Sequence, residues 1–172
     1  DARLLGGRDR DLPVAAGRSR DVFRFSAGLG AHRRGHRDRR LLLRRNRLGD
    51  RRNLHPKARF YEIDICDPKV REVFLKERPD VLNHHAAQIS VSDSVKDPVR
   101  DAQINILGML NLLEAAAVAG TRKVIFASSG GAMYGEIGGR PAGEESPRFP
   151  ISPYAVSKIA GEFYLGYYRR QH

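Results

Sequence analysis

From residue 54 onward, short apolar runs alternate with segments whose apolar residues recur every three or four positions. ARFYEID (58–64) is a run of β type that closes on an acid. In PKVREVFLKERP (68–79), Val70, Val73 and Phe74 share one helical face, with Pro68 near the start and Pro79 beyond the end. DVLNH (80–84) is a second short apolar run. DPVRDAQINILGMLNLLEAAAVAG (97–120) has a long helical pattern that Pro98 opens and Gly120 closes. RKVIFASS (122–129) reads as a third strand, and a loop rich in Gly, Pro and Glu follows it. SPYAVSK (152–158) then starts a last helix, whose rhythm runs on through KIAGEFYLGYYRR. Strands alternating with helices predict parallel strands joined by right-handed crossovers, a doubly wound α/β sheet. Such sheets bind ligands beyond the carboxyl ends of their strands, so the loops after Ile63, His84 and Ala127 are expected to line one edge.

Residues 1–53 have a different texture. They are dense in arginine and mostly lack a period, and LLL at 41–43 is the one strand seed. Charge separates the two regions. Residues 1–53 hold 16 Arg, no Lys, six Asp and no Glu, a net +10, whereas residues 54–172 hold 15 basic and 14 acidic side chains, a net +1. The overall charge of +11 is therefore not the footprint of a whole domain built for DNA or RNA. Only Phe23 and Phe25 stand in the basic region as stacking residues, so base recognition has no support.

A length of 172 residues suits one domain. The single cysteine, Cys66, excludes an internal disulfide and fits a reducing compartment, so a cytoplasmic location is expected. No signal-peptide pattern opens the chain, and no membrane association is expected. The chain begins at Asp1 and not at Met, and a fragment is expected.

Candidate chemistry starts with Tyr154 and Lys158. Four residues are just over one helical turn, so both side chains project from one face. A neighbouring ammonium favours phenolate over phenol and brings a tyrosine towards the range of a general base. Taken alone, Tyr-x-x-x-Lys is common, and an incidental pair on an amphipathic helix is the favoured reading. His84 and His85 are adjacent on a strand and point to opposite faces, and no Cys/His cluster adds ligands, so no metal site is expected.

Four motifs taken together change that balance: FYEIDICD, VLNHHAAQISV, INILGMLNLLEAA with VIFASSGGAMYGE, and SPYAVSK. In this order and spacing, residues from about 49 to 172 resemble the extended short-chain dehydrogenase/reductase family. Within it they are most similar to the nucleotide-sugar epimerases, such as UDP-glucose 4-epimerase. The resemblance implies a Rossmann-like core and NAD as cofactor. Asp64 and Ile65 would meet the adenine, and His84, Ala86, Ala87 and Gln88 would form the loop beside the dinucleotide. Tyr154 would take the proton of the sugar 4-hydroxyl, Lys158 would hold the nicotinamide ribose, and Ser129 would be the hydroxyl partner. Tyr134 would belong to the substrate-side wall, and Asn105 would tie its helix to a neighbouring strand. The implied partner is a UDP-sugar or other nucleotide sugar, and a homodimer through helices like 98–119 and 153–170 is expected. A dehydratase, reductase or related enzyme of the same family is the alternative, as is a non-catalytic dinucleotide-fold protein.

Three departures stand out. Typical epimerases carry Ser or Thr four residues before the Tyr of the YG pair, where this chain has Gly130. Related dehydratases carry an Asp-Glu pair where this chain has Gly131-Ala132, and neither of these can transfer a proton. The glycine-rich turn that should open the fold is not found. Gly6-Gly7 lead into RDRDLP, Gly28, Gly30 and Gly35 have the wrong spacing, and Arg44 stands where the family has a ribose-binding acid. The expected organisation is thus an arginine-rich segment 1–48, read as translated out of frame with a true basic arm or a disordered segment as the alternatives, followed by an NAD-binding core 49–172. That core ends after the Tyr-x-x-x-Lys helix, and the C-terminal substrate domain is expected to be absent.

Overall fold

The computed structural model describes residues 23–31, 37–45, 59–139 and 141–172, the first two spans as backbone only. Five strands form one sheet: β1 (Phe23–Ala31), β2 (Arg37–Arg45), β3 (Arg59–Glu62), β4 (Val81–His84) and β5 (Lys123–Phe126), in the order β3-β1-β2-β4-β5. The parallel arrangement holds across β2, β4 and β5, with Leu41 opposite Leu82 and His84 opposite Phe126. β1 runs antiparallel to both β2 and β3. Two reversals cancel, so β2, β3, β4 and β5 all point one way. The last residues of β3, β4 and β5 therefore share one edge, as the strand pattern predicts.

The leucines at 41–43 do lie in a strand, β2. β1 is not anticipated from the sequence, although FRFSAGLGA places apolar residues at 23, 25, 27, 29 and 31, a period of two. Gly28 and Gly30 fall inside β1, so neither forms a turn between a strand and a helix. Arg44 is the penultimate residue of β2. Gly6, Gly7 and Gly35 lie outside the described residues.

Helix α1 (Val70–Glu77) carries the predicted face, with Val70, Val73 and Phe74 buried. It stops at Arg78, which is left-handed (φ 42°) and donates its N–H to the Phe74 carbonyl, just before Pro79. One short helix, α2 (Val91–Lys96), is not anticipated from the sequence, whereas α3 (Pro98–Ala102) opens at Pro98 as predicted. Ser90 caps α2 by accepting from the Asp93 N–H at 3.2 Å, and Asp97 caps α3 by accepting from the Arg100 N–H at 3.0 Å. The long helix predicted over 97–120 is present as α3, a π-helical segment Gln103–Gly108 and α4 (Met109–Ala119), ending at left-handed Gly120 (φ 75°). By length and composition Pro98–Ala119 is apolar enough to cross a membrane. Here Ile104, Leu112, Ala115 and Ala116 from this run join Phe74 and Leu82 in the core. Part of its apolar surface is thus buried, while Val99, Leu107 and Val118 are exposed. A one-turn helix α5 (Gly130–Met133) and the long α6 (Pro153–Gln171) complete the described elements.

Candidate active site

The sheet edge is built from three loops. After β3, Asp64 makes a local turn, with its Oδ1 accepting from the Cys66 N–H at 2.8 Å. Asn111 on α4 fixes this turn from beneath, donating to the Ile65 carbonyl at 2.7 Å and the Asp67 carbonyl at 2.9 Å. Ile65 sends its side chain wholly into the core, so its backbone is the part that lies on the loop. Gly108, the last residue of the π segment, lets this loop come close. A Cβ there would stand 2.7 Å from Ile65 Cδ1 and 3.1 Å from Cys66 Sγ. The Cys66 thiol is pushed up to about 12 by burial and then by Asp64, so it stays protonated and is a poor nucleophile.

At the end of β4 and just after it, His84, Ala86, Ala87 and Gln88 are buried and His85 is exposed. His84 is only 2% exposed, and its ring lies 5.6 Å from that of Phe126. Burial, then Lys158, then His85 push it down to about 3, so its imidazole is neutral. Its Nδ1 has no hydrogen-bond partner. Gln88 is held on all sides. Its N–H donates to Asn105 Oδ1 at 2.8 Å, its carbonyl accepts from Asn105 Nδ2 at 3.0 Å, and its side-chain amide donates to the Ser90 carbonyl at 2.8 Å.

After β5, Ser128 donates to Glu162 Oε1 on α6 at 2.6 Å, and Glu162 pairs with Arg148 at 2.9 Å. Ser129 is the N-cap residue of α5 and makes no capping bond with its side chain. Tyr134 closes α5 and is half-buried.

Tyr154 and Lys158 stand on the first turns of α6, which Ser152 caps by accepting from the Ala155 N–H at 3.2 Å. Lys158 is 5% exposed. Its ammonium donates to the Ala127 carbonyl at 2.9 Å and lies 4.8 Å from the Phe126 ring centroid and 5.7 Å from that of Tyr154. Burial pulls its pKa below the usual lysine value, and Asp101 opposes that shift. Gly161 makes this approach possible, since a Cβ there would meet Phe126 Cζ at 2.9 Å and Met109 Sδ at 3.1 Å. The Tyr154 N–H donates to Ser94 Oγ at 3.2 Å, tying α6 to α2.

The sequence-predicted residues thus gather on the loops after β3, β4 and β5 and on the start of α6. Residues that the sequence reading did not select join them: Asp101, Ser157, Ser94, Asn111 and Glu162. Two of these carry a signal in the sequence. Asp101 lies four residues before Asn105, and Asn111 interrupts an apolar helix face. Among the described residues, no group of three or more His, Cys, Asp or Glu is placed to hold a metal ion.

The sequence model of the GDP-mannose 4,6 dehydratase family matches residues 30–172. The chain belongs to that family. It is 45% identical over 126 residues to the UDP-glucose 4-epimerase of Mycolicibacterium smegmatis, an alignment covering 70% of this chain and 40% of that protein. Among solved structures, it is similar to the UDP-glucose 4-epimerase of Thermus thermophilus in complex with NAD. The TM-score is 0.68 and the identity 46%, over 72% of this chain and 40% of that one. It is also similar to the UDP-glucose 4-epimerase of Thermotoga maritima with UDP-glucose, with TM-score 0.66 and 43% identity, over 69% of this chain and 39% of that one. The chain spans about 40% of the length of the relatives it matches. The Rossmann-like fold expected from the motifs is borne out by these neighbours.

Proposed function

We propose that this chain is the cofactor half of an NAD-dependent nucleotide-sugar epimerase that interconverts UDP-hexoses at C4. The observation that carries the reading is the Tyr154–Lys158 pair on one face of α6, with the ammonium anchored on the Ala127 carbonyl at 2.9 Å. The relatives named UDP-glucose 4-epimerase, one of them solved with NAD, support it. Gly131-Ala132 supports epimerase over dehydratase, because neither residue can supply the acid or base that water loss needs.

The nicotinamide end of NAD fits the residues present. Ala86 and Ala87 leave room for a flat group against the backbone, and the orphaned Nδ1 of His84 is a buried polar atom that a bound group can satisfy. When bound, NAD supplies a hydride acceptor that also returns the hydride, so no net oxidation results. The chain's own residues handle the proton and the orientation. Tyr154 removes the proton of the sugar 4-hydroxyl. Lys158 grips the nicotinamide ribose. Ser129 is the hydroxyl that meets the sugar, because Ser128 is already committed to Glu162. Tyr134 flanks the sugar, and Asp64 with the Ile65 backbone receives the adenine. A homodimer fits the apolar residues exposed on the two long helices: Val99, Leu107 and Val118 on one, Val156, Phe163 and Tyr167 on the other. The cytoplasm is the compartment proposed.

The pyrophosphate end has no such fit. The place beside β4 is held by the β1–β2 hairpin, and no strand, glycine turn and helix N-terminus follow one another there among the described residues. This observation favours a second reading, a dinucleotide-fold protein without catalysis. It equally fits a segment 1–48 read out of frame, and reading the coding DNA across codons 1–60 in all three frames separates the two. A strand, G-x-x-G-x-x-G, helix and acid-ended strand joining near Gly49 in another frame would restore the enzyme. The functional test is conversion of UDP-galactose to UDP-glucose by the longest open reading frame containing these residues. Tyr154→Phe should abolish it, and activity that survives this change would overturn the mechanism.

A further inference from the structure

Helix α2 buries a single side chain, and that side chain is polar. Ser94 has no exposure, whereas Val91 and Val95 of the same helix are exposed. A hydroxyl in the interior costs free energy unless its hydrogen bonds are made. Here they are made in both directions. Ser94 Oγ donates to the Val91 carbonyl at 2.7 Å and accepts from the Tyr154 N–H at 3.2 Å. What α2 offers α6 through this residue is an acceptor and not an apolar contact.

The start of α6 shows what that acceptor is for. The first backbone N–H groups of a helix have no partner within it. Pro153 has no N–H to satisfy. The Ala155 N–H donates to Ser152 Oγ at 3.2 Å, and the Val156 N–H donates to the Ser152 carbonyl at 3.0 Å. The Tyr154 N–H is the one met from another element, by Ser94. The Tyr154 carbonyl is held too. It accepts from Ser157 Oγ at 2.9 Å, and Ser157 Oγ lies 3.2 Å from Asn105 Nδ2. Both routes lead back to the loop after β4. Asn105 pairs with the Gln88 backbone at 2.8 and 3.0 Å, and Gln88 Oε1 accepts from the N–H of Ser90, the cap of α2. Lys158 has a separate anchor, the Ala127 carbonyl after β5. Tyr154 itself is half-buried, so its clamped main chain sets where the phenol stands.

We propose that Ser94 is a positioning residue for Tyr154. It holds the first turn of α6 against α2, so that the phenol is referenced to the loop after β4 while Lys158 is referenced to the loop after β5. The proposal rests on the reading of Tyr154 as the group that takes the sugar proton. Ser94 touches neither substrate nor cofactor in this scheme and acts through the Tyr154 main chain. Without it the first turn is free to shift, and a base displaced from hydrogen-bonding reach of its proton loses much of its effect.

Ser94→Ala removes the acceptor. In the full chain, hydrogen exchange of the Tyr154 amide should quicken about fivefold or more relative to the Ala155 amide, which Ser152 caps. The pattern along α6 separates positioning from general loosening. Backbone amide signals of residues 153–156 should move, together with the Tyr154 ring carbon Cζ, which is assigned by its loss in Tyr154→Phe. The amide signals of residues 158–162 should stay in place. A Tyr154 amide that exchanges no faster than before, or signals that move along the whole helix, overturns the proposal. Should the variant fail to fold, the parent chain decides. A Tyr154 amide that exchanges like an unpaired N–H overturns the idea, and one protected at least as well as that of Ala155 upholds it. In the longer protein, Ser94→Ala should lower kcat for UDP-galactose about tenfold or more and leave KM nearly unchanged. An unaltered kcat, in a protein that Tyr154→Phe inactivates, overturns the proposal. Activity that survives Tyr154→Phe sinks the catalytic reading instead, and amide exchange still reads the clamp by itself.

Discussion

The side-chain amide of Asn105 pairs with the backbone of Gln88 as a strand neighbour would. It accepts from the Gln88 N–H at 2.8 Å and donates to the Gln88 carbonyl at 3.0 Å. Asn105 lies buried in the π-helical segment Gln103–Gly108. Asn105→Leu should leave both backbone groups of Gln88 buried without partners. The expected loss is about 2–6 kcal/mol, at roughly 1–3 kcal/mol for each of the two unsatisfied groups. Urea unfolding of the two proteins measures it, and a change below about 1 kcal/mol would mean that water or Gln88 itself repairs the gap.

Gly108 sets the distance between the π segment and the loop after β3. In Gly108→Ala the new methyl would meet Ile65 Cδ1 at 2.7 Å, and Ile65 is fully buried, so it has little space to turn into. Overpacking of this kind costs about 1–3 kcal/mol, against a gain of up to about 1 kcal/mol in helix propensity. A net destabilisation is expected. Ile65→Ala removes both Cδ1 and Cγ1, which would stand 2.7 and 2.8 Å from the new methyl, so the double variant should be less destabilised than the sum of the singles. Strict additivity in thermal unfolding would count against the contact.

The elements that carry the site were readable because each has its own local signal. Periodicity gave α1 and the long helix, while Pro98, Gly120 and Ser152-Pro153 marked its ends and the start of α6. The site residues were reached through motif resemblance and not through pattern, since a Tyr and a Lys four apart are common. What stayed hidden was relational. The reversal of β1 depends on pairing with two strands distant in sequence, which no local pattern records. The short α2 rests on the cap Ser90, in a stretch whose valines Val91 and Val95 are exposed, so no buried stripe announced it. Asp101 and Asn111 looked like ordinary polar residues until the fold supplied their partners.

Glu162 joins the loop after β5 to α6 and to the long segment before it, through Ser128 on one oxygen and Arg148 on the other. Both contacts are partly open to solvent, so Glu162→Ala should cost less than about 1 kcal/mol of global stability. The local effect should be larger. Hydrogen exchange of residues 143–150 should quicken, and Arg148 should become a preferred site for trypsin. Unchanged exchange in that segment would show that the ion pair contributes nothing to holding it.

His84 gives the fold a specific response to acid. Its folded-state pKa is pushed down to about 3, mainly by burial, whereas an unfolded histidine titrates near 6.5. Between those two values the unfolded chain binds a proton at this residue and the folded chain does not. The sign follows from linkage: stability rises with pH wherever the unfolded state binds more protons. The stability that neutral His84 permits is thus fully present above about pH 6.5 and is lost as pH falls towards about 3. The loss is at most about 1.4 kcal/mol per pH unit for the one proton. His84→Phe keeps a ring against Phe126 and removes the titration, so its stability should fall less steeply than that of the parent chain over this range. Urea unfolding at pH 7.5, 6 and 5 measures the two slopes, and parallel slopes would show that His84 is not held neutral in the folded protein.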